Sequence, residues 1–204
     1  MQNKTYGLAA ALALVVALPA QAAIHYGFDG DAQGWTASNG GTLSHVASGG
    51  SPGGYLSVVD ATGDDFRVVL PSGAGGDWSA YLGGSIGFDA INLNNEAPDY
   101  EGFGLVTLSG GGLTLVVDTV AVGQPPADGQ WHHYAVPLTS AVWGADLGTV
   151  LASVDGFSLE GEFHNGVSEV VGIDNISVSA VPEPATAALW LAGAAGLLAL
   201  RRRR

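Results

Sequence analysis

Residues 45–63 read HVASGGSPGGYLSVVDATG. Two short apolar runs, Thr42–Val46 and Tyr55–Asp60, flank Ser51-Pro52-Gly53-Gly54, and Ala61-Thr62-Gly63 ends the second. β-branched and aromatic residues crowd the runs, and glycine and proline crowd the break between them. That pattern predicts a strand, a turn and another strand, because pleated strands favour the first residue types and turns the second.

The same pattern continues in both directions. Further runs are Ile24–Asp29, Phe66–Leu70, Ser85–Leu93, Gly102–Leu108, Leu113–Asp118, Trp131–Leu138, Phe157–Phe163 and Val170–Val178. Between them stand GAGG, SGGG and QPPADG. Many short strands with turn signals at intervals of roughly ten residues predict an all-β sandwich. One segment departs from this period. Leu147, Val150, Leu151 and Val154 recur at helical spacing behind Asp146, which predicts one short helix with Asp146 as N-cap, lying across an end of the sandwich.

The two ends differ from the middle. At the start, Lys4 precedes an apolar run from Leu8 to Leu18, and Ala20-Gln21-Ala22 follows. A charged segment, a short apolar segment and an A-x-A site predict a signal peptide over residues 1–22. At the other end, Pro182-Glu183-Pro184 is a stiff spacer, Ala185–Leu200 is uncharged and mostly apolar, and Arg201, Arg202, Arg203 and Arg204 close the chain. Sixteen helical residues reach about 24 Å, close to the hydrocarbon thickness of a bilayer, and the arginines would stay on the cytoplasmic side. The expectation is a transmembrane helix, an exported domain over residues 23–180, and a tail over residues 181–204.

Between the ends, 18 acidic residues stand against Arg67 alone, a net charge of −17. A field of that sign repels phosphate backbones and excludes nucleic acid as a partner. There are no cysteines, so this exported domain must hold together by its core, with or without a metal. About 158 residues suffice for one core.

The tail, with Pro-Glu-Pro, an apolar helix and an arginine cluster in that order, resembles the PEP-CTERM sorting signal. The resemblance implies processing by an exosortase and delivery to the envelope or extracellular matrix. The middle, through FDGDAQGW, HVASGGSPGGYLSVVDATG, DWSAYLGGSIGFDAINL, LSGGGLTLVVDT, GQWHHYAVPLT and VGIDNISVS, resembles the laminin B domain, also called laminin domain IV type A. That implies a jelly-roll β-sandwich akin to galactose-binding and carbohydrate-binding modules. Members often carry an arginine near the penultimate strand, where this chain has Glu160 and Glu162.

Catalytic motifs are weak. Gly83-Gly84-Ser85-Ile86-Gly87 fits G-x-S-x-G, but a strand rather than a helix is expected after it. His132 and His133 are adjacent in a predicted strand and face opposite ways. Glu160 and Glu162 share a face, and without an opposing wall they read as a solvated acidic surface. Hard oxygen donors suit calcium. By resemblance to carbohydrate-binding modules, a structural calcium would be held by Asp174 first, with Asp29 or Asp31 in support. Trp78 and Trp143 fall in predicted loops and Tyr100 flanks one, so these three are the candidate ligand-binding aromatics. The reading is a non-catalytic exported protein that binds exopolysaccharide or matrix partners. The alternatives are a polysaccharide hydrolase using an acidic pair, and a purely structural coat or biofilm component.

Overall fold

Eleven strands form among the described residues, ten of them where the alternating runs stand, because each run can bury one face only by packing on a second sheet. A computed structural model of the chain describes residues 22–166 and 169–181. The expected signal peptide, the transmembrane helix and the sorting residues Pro182, Glu183, Pro184 and Arg201 to Arg204 lie outside the described residues. No helix among the described residues is long and apolar enough to cross a membrane.

The strands are β1 (Ile24–Tyr26), β2 (Thr36–Ser38), β3 (Gly41–Val46), β4 (Tyr55–Asp60), β5 (Arg67–Val69), β6 (Ser85–Asn92), β7 (Leu105–Gly110), β8 (Leu113–Asp118), β9 (His132–Pro137), β10 (Val154–Glu160) and β11 (Val170–Ser179). One sheet runs β3-β4-β11-β6-β9, with β1 also paired to β11, and the other runs β2-β5-β10-β7-β8. All the ladders between these strands are antiparallel. Strand β4 borders β11 from Val170 to Ile173, and β1 borders it from Ile176 to Val178. The change of neighbour coincides with a bulge between Asp174 and Ser177. Bulges of this kind bend a strand and re-aim its side chains.

Two features differ from the sequence expectation. Thr36–Ser38 is a strand that was not anticipated, since three residues offer too short a run to show alternation. The single expected helix is a pair, α1 (Ser140–Trp143) and α2 (Leu147–Leu151). Asp146 precedes α2 but its side chain makes no capping hydrogen bond. The apolar spacing of Leu147, Val150 and Leu151 is what fixes α2, since all three are fully buried.

The core lies between the sheets. Phe28, Phe66, Phe88 and Phe163 are fully buried, and Trp35 meets Tyr26, Phe28 and Phe157 edge-on. Ala37, Val68, Val106, Leu108 and Leu159 face inward from the five-stranded sheet. Their sequence neighbours Ser38, Arg67, Val69, Thr107 and Ser158 therefore face outward.

Candidate functional site

The outward residues of the five-stranded sheet make a groove of about 690 Å³. Hydroxyls supply much of its lining: Thr36 and Ser38 from β2, Thr107 and Ser109 from β7, and Ser158 from β10. Val69, Leu70 and Pro71 give apolar floor, and Asp155 is the acid in the lining. Among the described residues no tryptophan or tyrosine lines it.

Arg67 is the cation of this surface. It stands opposite Glu160 in the β5–β10 ladder. One guanidinium nitrogen donates to the Glu160 carboxylate and the other to Thr107 Oγ1 at 3.2 Å. Glu160 is only 1% exposed, and burial works against its charged form while Arg67 favours it, the net shift being upward. The segment around Tyr100 and Gly102 covers Glu160, because a Cβ at Gly102 would collide with both Tyr100 and the Glu160 carboxylate. Glycine is required there by contact rather than by backbone angle.

This arrangement overturns two expectations. Glu160 and Glu162 do not form a solvated face: both are almost wholly buried, Glu160 beneath the Tyr100–Gly102 segment and Glu162 beside Phe66, whose amide it accepts. The cation that the penultimate strand lacks is supplied by the neighbouring strand as Arg67, at a position a reading along the chain does not pair with Glu160.

The aromatics also move. Trp78 is 3% and Trp143 4% exposed, so neither is an open platform. Trp78 donates its amide to the Leu151 carbonyl, and Trp143 Nε1 donates to the Pro137 carbonyl at 3.0 Å. Trp78 stands in a loop and Trp143 ends α1, and both rings turn inward, since a large ring gains more by burial than by exposure. Tyr100 is half-buried, beside Asp65 and Glu160 at the Glu160 end of the groove. Its hydroxyl is pushed up to about 12 by burial first, then by its bond to Asp65 and the surrounding carboxylates. Trp131 instead lies on the outer face of the other sheet, edge-on to Tyr55 with 5.4 Å between ring centres, its Nε1 donating to the Gly49 carbonyl.

The Asp174 region is built by the Gly49–Gly54 loop folding over β11. Asp174 is fully buried; its carboxylate accepts the Ser51 and Asn175 amides, each at 2.7 Å. Burial holds its carboxyl above the usual range, those two bonds oppose the rise, and Asp89 and Asp29 add to it. Asp29 reaches the same loop, since a Cβ at Gly53 would collide with its carboxylate, and a Cβ at Gly50 would meet Asp174 and the Gly54 carbonyl. Asp31 does not join them. It turns to accept the Gln33 amide at 2.7 Å, a local turn bond. Among the described residues no three His, Asp or Glu side chains converge as ligands of one metal ion.

His132 and His133 pair with different acids, Asp128 at 2.9 Å and Asp89 at 2.6 Å. Ser85 opens β6 and its hydroxyl meets that of Ser179 at 3.0 Å, with no histidine bonded to it. The G-x-S-x-G segment is a strand start.

The all-β two-sheet sandwich is a fold shared with carbohydrate-binding-module jelly rolls. The solution structure of CtCBM11, a family 11 module of Clostridium thermocellum, is similar over 78% of this chain and 96% of its own, with 19% identity and a TM-score of 0.50. An exo-β-agarase matches over 77% of this chain but only 24% of its own, with 15% identity and a TM-score of 0.50. The L4b domain of human laminin alpha-2 matches over 58% of this chain and 71% of its own, with 14% identity and a TM-score of 0.48. No curated protein is similar enough in sequence to match. Residues 180–204 match the PEP-CTERM protein-sorting motif. That motif marks a chain for export and envelope or extracellular sorting, and implies processing by an exosortase.

Proposed function

We propose that the domain is a non-catalytic glycan-binding module of an exported, exosortase-sorted envelope or matrix protein, and that it takes a neutral polysaccharide along the groove of the five-stranded sheet. The observation that carries this is the Arg67 guanidinium, fixed by Glu160 and Thr107 among rows of hydroxyls on an open sheet. Fixed donors and acceptors beside a small apolar floor suit a polyhydroxylated chain, which brings both hydrogen-bonding edges and C–H faces. The modules that share the fold support this reading, one of them having been solved with a β-1,3-1,4-mixed-linked tetrasaccharide. The net charge of the domain disfavours anionic polymers.

A hydrolase needs two carboxylates facing each other across a cleft. In the groove Asp155 faces no second free carboxylate, as Glu160 is buried and engaged by Arg67. The test is a titration of the protein with neutral glucans, agarose and pectate, assayed for heat and for released sugar. Heat with a neutral polymer, lost in Ser158→Ala, is the expected result. Reducing ends in the same vessel, or no heat with any neutral polymer, would sink it.

We also propose a structural calcium at the loop over β11, held by Asp174 and Asp29 with backbone oxygens of the Gly49–Gly54 loop. The Asp174 carboxylate and the Gly54 carbonyl crowd Gly50, the Asp29 carboxylate crowds Gly53, and hard oxygens of these kinds are the donors such an ion takes. Bound there, it would brace that loop against the sheet and offset the repulsion between Asp174 and Asp29. Asp31 has no part in it. A calcium-dependent rise in Tm, absent in Asp174→Asn, is the expected outcome; equal melting with calcium and with chelator would refute it.

A further inference from the structure

The far end of the sandwich, where β4 and β10 finish and β11 begins, buries more acid than it can pair. Asp60 at the end of β4 is fully buried, Glu162 just past β10 is 3% exposed, and Glu169 just before β11 is 1% exposed. Glu169 accepts the amides of Phe163 and His164, at 3.1 and 2.9 Å. Asp60 accepts from Thr62 through one oxygen, and Glu162 from the Phe66 amide. Asp60 Oδ2 and Glu162 Oε2 are left buried without a partner.

A buried carboxylate needs a cation, a metal or a proton. The charged groups around the cluster are already engaged. Arg67 of β5 is bound to Glu160 of β10. Asp65, between β4 and β5, is bonded by Tyr100. His164, between β10 and β11, pairs with Asp99 at 2.8 Å and Glu96 at 3.6 Å, both from the segment between β6 and β7. The exposed Asp64 and Glu101 bring only more negative charge. Among the described residues no three acids converge on one point as metal ligands do. Protons are what remains.

We propose that Glu162 and Glu169, buried against Asp60, form a protonated clasp, which holds the segment carrying Phe163 and His164 onto the end of the sandwich in acidic surroundings and loosens it in alkaline ones. Electrostatics agree with the geometry. Burial first, then neighbouring acids, Asp60 among them, push Glu162 up to about 7 and Glu169 up to about 8. In the unfolded chain both release their protons near 4.5. Below that pH both states hold the protons and stability is unaffected. Between 4.5 and about 8 the folded state keeps protons that the unfolded state has lost, so stability falls as pH rises. Above about 8 the two states agree again and the fall ends. The protein is thus most secure in mildly acid surroundings, the reverse of a protein whose acids are salt-bridged.

The test is a series of melts of the protein from pH 5 to pH 9 in calcium-free buffer, for the parent, Glu162→Gln and Glu169→Gln. The parent should lose roughly 5 °C or more between pH 5.5 and 8.5, and each glutamine variant should lose visibly less, since an amide needs no proton. Carbon NMR of the glutamate carboxyls gives a second reading that does not depend on how well the variants fold. Two buried glutamates titrating near 7 and 8 support the clasp; all glutamates titrating near 4.5, or parallel melting curves for parent and variants, overturn it. A calcium-dependent rise in Tm that vanishes in Glu162→Gln would assign the cluster to a metal and overturn it as well.

Discussion

Arg67 and Glu160 face each other across the β5–β10 ladder, and the only cation of the exported domain is spent on a carboxylate that is 1% exposed. The pair sits at one end of the groove, with Thr107 as a third member. Its two partners do unequal work. Arg67 keeps part of its guanidinium toward the groove, while Glu160 holds it in place from beneath.

Removing Arg67 leaves Glu160 buried and unpaired. Arg67→Ala should therefore destabilise the domain by about 3 kcal/mol, the scale for breaking a buried ion pair from one side. Glu160→Gln should cost less, because the amide still accepts a hydrogen bond and has no charge to desolvate. The double variant should recover much of the loss. Urea unfolding of the three variants measures this, and equal costs for the two single changes would show that the pair is solvated rather than buried.

Ligand recognition should separate cleanly from tryptophan burial. Trp78→Ala and Trp143→Ala each empty core volume and should cost about 3–5 kcal/mol. At a temperature where the variants remain folded, their glycan affinity should match the parent. Ser158→Ala and Ser109→Ala should behave in the opposite way, melting close to the parent and weakening binding by roughly 5- to 10-fold each for one lost hydrogen bond. Melting curves beside binding isotherms decide the matter.

Ten of the strands, all but Thr36–Ser38, are legible because each carries its own period. Tyr55–Asp60 and Leu113–Asp118 form over the residues that the alternation indicates. What the sequence hides is contact across the sheet. Arg67 and Glu160 are 93 residues apart, and no local pattern signals their pairing. The burial of Glu162, Glu169 and Asp60 is hidden for the same reason: each stands at a strand end, where hydrophilic residues ordinarily meet water. A signal did exist for Trp78 and Trp143, since a ring of that size gains more by burial than by exposure. For Asp29 and Asp174, family resemblance rather than spacing brought the two residues together, and the Gly49–Gly54 loop is what joins them.

Neutral ligands should ignore salt. The groove offers hydrogen bonds and one guanidinium that is already paired, so affinity for a neutral glucan should change less than about twofold between 0.05 and 0.5 M NaCl. Pectate or alginate should fail to bind at low salt, repelled by the domain's net charge, and any binding should emerge only as salt screens it. Strong low-salt binding of an anionic polymer would place the ligand on Arg67 as a free cation, which the Glu160 contact forbids.

Gly50 offers a test of the calcium site that leaves every carboxylate intact. Its backbone angle is not one that demands glycine, but an added Cβ would press on the Gly54 carbonyl and on Asp174. Gly50→Ala should therefore push the Gly54 carbonyl out of place while both carboxylates stay in the chain. If calcium is held there, the variant loses the calcium-dependent rise in Tm while keeping Asp29 and Asp174. A cation attracted merely by the acidic surface would stabilise Gly50→Ala as much as the parent. Gly73→Ala is the matching control, since its Cβ would meet nothing within 4 Å. Its φ of +81° makes alanine strained, so it should melt lower yet keep the full calcium response. Calcium titrations of the two variants, read as the shift rather than the absolute Tm, separate a built site from general attraction.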